Sequence, residues 1–176
     1  HQDHPFKDAY EASVSKAERV VSAIKFSHLV MVYQSARGNT AQVMELLART
    51  GYEQEVKEHT EVIEREIRYV QNWLEKYAPS EVKFEVQEQM PTVSLSTQQR
   101  DFLEKLAAIV PLKPELDGQG MHEAIYEAQE SAGVSPHQAF EAIYQVILGK
   151  NSGPKAGWFL ASLEPEWLIK RLKLEA

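Results

Sequence analysis

The sequence contains no cysteine among its 176 residues. Disulfide bonds, thiolate metal sites and a cysteine nucleophile are therefore excluded, and the composition fits a reducing compartment, so we expect a cytoplasmic protein. No apolar run approaches the roughly 18 residues that a membrane-spanning helix needs, and we expect no membrane partner. A secretory leader pattern is also missing. The chain begins His-Gln-Asp, and we expect it to be a piece of a longer protein.

Recognisable catalytic motifs are missing as well. The sequence has no HExxH, GxGxxG or GxSxG pattern. Residues 149–152 (Gly-Lys-Asn-Ser) partly match a phosphate loop, but the glycine required five residues earlier is Tyr144, which excludes a Walker A motif. Residues 1–4 (His-Gln-Asp-His) suggest either a metal site or, more simply, a loosely held terminus. We predict no catalytic residue and no metal site.

What the sequence does contain is a series of helical patterns. The clearest amphipathic helix is predicted over residues 53–77. Its apolar stripe comprises Ile63, Ile67, Val70, Leu74 and Tyr77. An earlier helix is expected to begin at Ser13 or Ser15, and the pattern through Val32 is apolar almost all round, which indicates a buried segment. We interpret His28 within it as a packed histidine rather than a catalytic one. The prediction is an all-α fold, a helical bundle or cage of six to eight helices.

Residues 80–95 break this helical succession, and we call them the connector. Apolar and charged residues alternate there in the manner of a strand. The apolar members are Val82, Phe84 and Val86. Because no partner strand is available nearby, we predict an extended segment that lies across the helices and buries these side chains. The connector also suggests a division into a stem-like N-terminal helical subdomain (residues 1–79) and a C-terminal helical subdomain (residues 96–176).

The C-terminal stretch 135–176 carries strong helix boundary signals. Ser135 is suited to an N-cap, Pro136 to the first helical position and Gly149 to a left-handed helix stop. Two shorter helical patterns follow, over residues 158–163 and 165–172.

The turn between these helices, residues 150–155, is cationic, and we call it the corner. From Gly149 to Lys173 there are five basic side chains and two acidic ones, although the whole chain has a net charge of −7. A basic corner on an acidic body can bind RNA if shape and base contacts dominate. The alternative is an ordinary solvated helix end, where cations are favoured.

Several blocks of the sequence resemble the class I lysyl-tRNA synthetases. In chain order they are residues 26–30 (FSHLV), 68–73 (RYVQNW), 144–158 (YQVILGKNSGPKAGW) and 168–172 (LIKRL). The class I glutamyl enzymes have a similar Gly…Gly-Pro corner. The resemblance implies that this chain is the C-terminal anticodon-binding helix cage. The HIGH-like and KMSKS-like signatures of the catalytic Rossmann domain are not present.

The resemblance also implies partners and cofactors. The partners would be the anticodon region of lysine tRNA and the enzyme's own N-terminal catalytic domain, with no DNA. The full-length enzyme would use ATP and magnesium, whereas this chain would hold no cofactor and would be inactive by itself. In that family the anticodons are rich in uridine, so polar groups must read the edges of unstacked pyrimidines.

The side chains of the C-terminal stretch suit such a site. Lys150, Lys155 and Arg171 are candidates to neutralise phosphates. Asn151 and Ser152 are candidates to bond base edges, and Trp158 could stack on a base or belong to the core. The alternative function is a non-catalytic helical protein-interaction module that uses the acidic face.

Overall fold

The computed structural model describes residues 21–113 and 117–175, and over these residues it is helical without a β-strand. The helices are α1 Phe26–Ser35, α2 Thr40–Leu47, α3 Glu53–Glu58, α4 Thr60–Lys76, α5 Thr97–Ile109, α6 Gly118–Ala132, α7 Pro136–Leu148, α8 Ala156–Ala161 and α9 Pro165–Leu172. A π-helical segment spans Ala48–Tyr52, and short 3₁₀ turns span Ser80–Val82 and Val110–Leu112. With α3 and α4 counted as one kinked helix, the described residues hold eight helices. The all-α prediction is confirmed.

The helix ends follow the local signals in the sequence. Ser96 and Gln99 form a reciprocal capping box at the start of α5. The Ser135 hydroxyl accepts a hydrogen bond from the Gln138 amide at 3.3 Å at the start of α7. Gly149 ends α7 in the left-handed conformation, with φ 67°. The helix boundaries predicted at Ser135 and Gly149 are confirmed.

The predicted helix over residues 53–77 is interrupted. His59 leaves the helical region, with φ −129° and ψ 34°, and separates α3 from α4. Tyr77 is 72% exposed because α4 has already ended at Lys76, and Tyr77 itself is not helical. The buried stripe of α4 instead continues from Val70 to Trp73.

The first predicted helix is not continuous through Val32. Residues 21–25 are not helical, and α1 begins at Phe26. Tertiary contacts explain why residues 21–25 are not helical. The Glu66 carboxylate accepts hydrogen bonds from the Ser22 amide at 2.9 Å and from the Ser22 hydroxyl at 2.5 Å. The Glu55 carboxylate accepts another from the Ala23 amide at 2.8 Å. Ser13, Ser15 and residues 1–4 lie outside the described residues.

The connector is extended, as predicted. After the turn Ser80–Val82 it has no regular structure until α5 begins. Val86 is buried, and the Phe84 ring packs edge-on against Phe159 with the centroids 5.2 Å apart. The connector therefore lies across the helices and adds to their core.

The core extends to both sides of the connector. Helix α1 packs on α4 and on α8, and α6 packs on α5 and α8. The Arg49 guanidinium also donates to the carbonyl oxygens of Ala161 and Leu163, at 3.2 and 2.9 Å. The division into subdomains remains a prediction. In the described part of the chain, no helix has the length and apolar character to cross a membrane.

Candidate nucleic-acid interface

The corner, residues 150–155, is folded back onto α7 by two contacts. The Tyr144 hydroxyl donates to the Pro154 carbonyl oxygen at 2.5 Å. Gly153 lies so close to α7 that a Cβ atom there would be 2.7 Å from Cδ1 of Tyr144 and 2.8 Å from Cδ1 of Leu148. Burial raises the pKa of Tyr144 to about 12, so its phenol stays a neutral donor at physiological pH. The position of the corner is therefore set by α7.

The connector is attached to the same end of α7. The Gln87 amide donates to the Ile147 carbonyl oxygen at 2.9 Å, and the Ser94 amide donates to Oε1 of Gln145 at 3.1 Å. The first of these bonds satisfies the Ile147 carbonyl, which lies in the last helical turn and has no partner within the helix. The connector and the corner therefore lie beside each other at the C-terminal end of α7.

Helix α1 holds the connector from its other side. The Gln34 side chain donates to the Val82 carbonyl oxygen at 3.1 Å and accepts from the Phe84 amide at 3.0 Å. The Arg37 guanidinium donates to the Val86 carbonyl oxygen at 3.2 Å and forms an ion pair with Glu88. A glutamine that both donates and accepts in this way reproduces one rung of a β-ladder, which explains how the connector stays extended without a partner strand.

A groove of about 300 Å³ opens between α1, the connector and the corner. Its apolar lining includes Val30, Met31 and Phe84, and its rim carries the Lys150 side chain. Three exposed hydroxyls also line it and make no hydrogen bond within the described part of the chain. They belong to Ser27, Ser80 and Ser152. An apolar floor with free polar groups at its edge is typical of small-ligand sites, and this volume is at their lower limit.

Two of the six predicted site residues, Lys150 and Ser152, line this groove, and two more, Asn151 and Lys155, lie beside them in the corner. Lys150, Asn151, Ser152 and Lys155 are all exposed. The Lys150 ammonium lies 3.4 Å from the Lys83 carbonyl oxygen, so it also links the corner to the connector. The structure thus presents two exposed lysines, an amide and a hydroxyl in one short corner.

Arg171 does not belong to this exposed set. Its side chain is fully buried, and its guanidinium donates to the carbonyl oxygens of Val146 at 3.0 Å and Glu88 at 2.8 Å. Burial also lowers the pKa of the guanidinium. Because a phosphate cannot reach a buried side chain, the expectation that Arg171 neutralises phosphates is corrected. The sequence already indicated that Arg171 is buried, since Arg171 shares one helix face with Leu168 and Leu172.

Trp158 is also directed away from the groove. Its ring covers Gly118, where a Cβ atom would lie 1.9 Å from Cδ2 of the indole. The His28 ring meets it edge-on, with the centroids 5.6 Å apart. Of the two interpretations of Trp158, the core interpretation is therefore favoured over base stacking. The aromatic ring that does line the groove is Phe84, which the sequence had indicated only as a core residue of the connector.

His28 is a packed histidine, as the sequence indicated. Its Nε2 lies 3.1 Å from the Thr50 hydroxyl, which in turn donates to the Leu46 carbonyl oxygen at 2.8 Å. Because the Thr50 proton is used in that bond, His28 donates to Thr50 through Nε2. Burial lowers the pKa of His28 to about 4, so the ring is neutral at physiological pH.

Sequence comparisons identify the family of the chain. The model of the anticodon-binding domain family matches residues 40–175, which is most of the chain. The chain therefore belongs to the anticodon-binding domain family.

Three relatives illustrate the similarity, and each is named lysine–tRNA ligase. The Archaeoglobus fulgidus protein is 36% identical over 156 residues, with 89% of this chain and 31% of the relative covered. The Methanosarcina barkeri (strain Fusaro) protein is 36% identical over 170 residues, with 86% and 31% covered. The Thermococcus kodakarensis protein is 32% identical over 177 residues, with 99% and 34% covered. This chain thus spans about a third of their length. These similarities give no support to a protein-interaction module.

Proposed function

We propose that this chain is the anticodon-binding part of a lysine–tRNA ligase, and that nucleotides of the anticodon loop bind at the corner and its groove. One observation carries the placement. The corner carries two exposed lysines, Lys150 and Lys155, and Lys150 lines a groove with an apolar floor and unbonded hydroxyls. Cations of this kind bind phosphates, and the groove suits an unstacked base with polar edges.

Each side chain has a role in this proposal. Lys150 and Lys155 neutralise phosphates, and Asn151 and Ser152 bond the edge of a base. Phe84 supplies the apolar face against which that base packs. This chain positions the tRNA, while a catalytic domain elsewhere in the full-length cytoplasmic enzyme uses ATP and magnesium to attach lysine. Neither DNA nor a membrane takes part.

The test is tRNA binding by two charge-matched double variants. Lys150→Ala with Lys155→Ala removes both corner cations. Lys170→Ala with Lys173→Ala removes two exposed cations at the C-terminal end of α9, outside both the corner and the groove lining. Binding of a lysine tRNA transcript is measured for both, and for the parent chain, over a range of salt concentrations.

The corner variant should bind more weakly, and the slope of log K against log salt should become shallower by about 0.7 for each lost phosphate contact. The α9 variant should retain the parent slope. If the corner variant binds as the parent does, or if both variants behave alike, the corner is not the RNA site. Asn151→Ala should keep the slope and instead reduce the preference for the lysine anticodon over others, because a base contact carries sequence information.

A further inference from the structure

Arg171 has an environment that differs from that of every exposed cation near it. Its guanidinium is buried and lies over the Trp167 ring, with Cζ 4.6 Å from the ring centroid. Within the described residues no carboxylate forms an ion pair with it, and its hydrogen-bond acceptors are the carbonyl oxygens of Val146 and Glu88. A buried charge is retained only where such bonds compensate its loss of water.

The two acceptors belong to the two segments that hold the proposed RNA site, α7 and the connector. Val146 lies in the last turn of α7, directly before the corner, and Glu88 lies in the connector. The helical carbonyls of that last turn carry a partial negative charge, which favours a cation there. The Gln87 amide bonds the next carbonyl, that of Ile147, at 2.9 Å. Arg171 from α9 and Gln87 from the connector thus cap α7 side by side.

We infer that Arg171 is a positioning residue, which clamps the connector to the end of α7 and so sets the width of the groove without touching RNA. This inference rests on the proposed function of the corner. Arg171 acts on RNA through the connector, which carries Phe84. Loss of Arg171 should change the arrangement of the site while leaving the number of phosphate contacts unchanged.

The experiment compares Arg171→Met with Lys170→Met in the binding assay used for the corner variants. Both substitutions remove one positive charge from α9, but Lys170 is exposed. Arg171→Met should weaken tRNA binding by about fivefold or more, which is a typical size for coupling between two separate sites. The slope of log K against log salt should stay at the parent value. Lys170→Met should leave affinity unchanged. Arg171→Lys, which keeps one donor, should recover part of the affinity.

Amide hydrogen exchange supplies a readout that does not depend on RNA. In Arg171→Met the Gln87 amide should exchange faster than in the parent, while core amides of α5 remain protected. Gln145→Met removes the bond that holds the connector at Ser94 and leaves Arg171 unchanged. It should also speed exchange of the Gln87 amide, by a smaller factor, and leave the α5 amides protected. If Arg171→Met does not fold, Gln145→Met is the variant that tests whether attachment of the connector to α7 shapes the site.

Three outcomes would overturn the inference. The first is a slope of log K against log salt that becomes shallower by about 0.7 in Arg171→Met, as for a lost phosphate contact. The second is a tRNA affinity of Arg171→Met that stays at the parent value. The third is a Gln87 amide exchange rate that stays unchanged. A different result would show that the proposed function is wrong, namely that the Lys150 and Lys155 double variant binds tRNA as the parent does. The exchange rate of the Gln87 amide would then be the only measurement that decides whether Arg171 clamps the connector.

Discussion

The hydroxyl of Tyr144 and the carbonyl oxygen of Pro154 are 2.5 Å apart, and this hydrogen bond closes the corner onto α7. Ten residues separate the two in sequence, with the helix stop at Gly149 between them. The bond turns a polar loop into a fixed edge of the groove. Its removal should therefore affect both stability and RNA binding.

Tyr144→Phe tests this relationship. The ring and its packing are kept, while the Pro154 carbonyl loses its donor, so the free energy of unfolding should fall by about 1 kcal/mol. Binding of lysine tRNA should weaken with it, because the corner becomes mobile. Urea unfolding and tRNA titration measure the two effects. Tyr126→Phe, at a position 58% exposed on α6, is the control and should change neither quantity.

Gly153→Ala should push the corner away from α7. The new methyl group would meet the Tyr144 ring at 2.7 Å and Leu148 at 2.8 Å, which is too close for either side chain to accept without moving. We expect a loss of about 1–3 kcal/mol in unfolding free energy, as for other overpacked sites, together with weaker tRNA binding.

Gly118→Ala is the comparison for that prediction. Its methyl group would meet the Trp158 ring at 1.9 Å, so it too should destabilise the protein, but through residues that do not line the groove. The molecules that remain folded should bind tRNA as the parent does. Equal losses of affinity in both variants would mean that binding follows overall stability rather than the position of the corner.

Stability should depend on pH through His28. Its pKa is about 4 in the folded protein, below the ordinary value of 6.5, so the unfolded chain binds the proton more tightly. The stabilisation from neutral His28 is therefore complete above pH 6.5 and is lost as the pH falls from 6.5 towards 4. Urea unfolding at several pH values measures this slope.

His28→Gln should flatten the curve over that interval, since glutamine can still donate to Thr50 but does not titrate. His137→Gln, at an exposed position of α7, is the matched control. A curve for His28→Gln as steep as that of the parent would show that other groups cause the pH dependence.

The chain should have no amino acid-activating activity by itself. Neither nucleotide-binding signature of the class I synthetases is present in residues 1–176, and the chain spans only about a third of the length of its relatives. Lysine-dependent exchange of pyrophosphate into ATP should stay at background, with a full-length lysine–tRNA ligase as the positive control. Exchange above background would contradict the proposed division of labour.

Much of the fold could be predicted from local patterns in the sequence. The caps at Ser96 and Ser135 and the stop at Gly149 depend on hydrogen bonds and backbone angles within a few residues, which the sequence displays directly. The extended connector followed from strict alternation between two helical regions. The resemblance to lysyl-tRNA synthetases also indicated the family that the comparisons show. The kink at His59 had no such local signal, because the preceding and following residues continue a helical pattern.

Which side chains face the groove was decided only by tertiary structure. Helical periodicity shows that Arg171 and Leu168 share a face, but it does not show which element covers that face. The adjacent residue Lys170 points to solvent, whereas Arg171 meets two carbonyls from segments 25 and 83 residues away in sequence. The sequence by itself determined where helices start and stop and that a basic corner follows α7. The packing of α9 and the connector on α7 decided which cations remain free, because burial depends on neighbours that are distant along the chain.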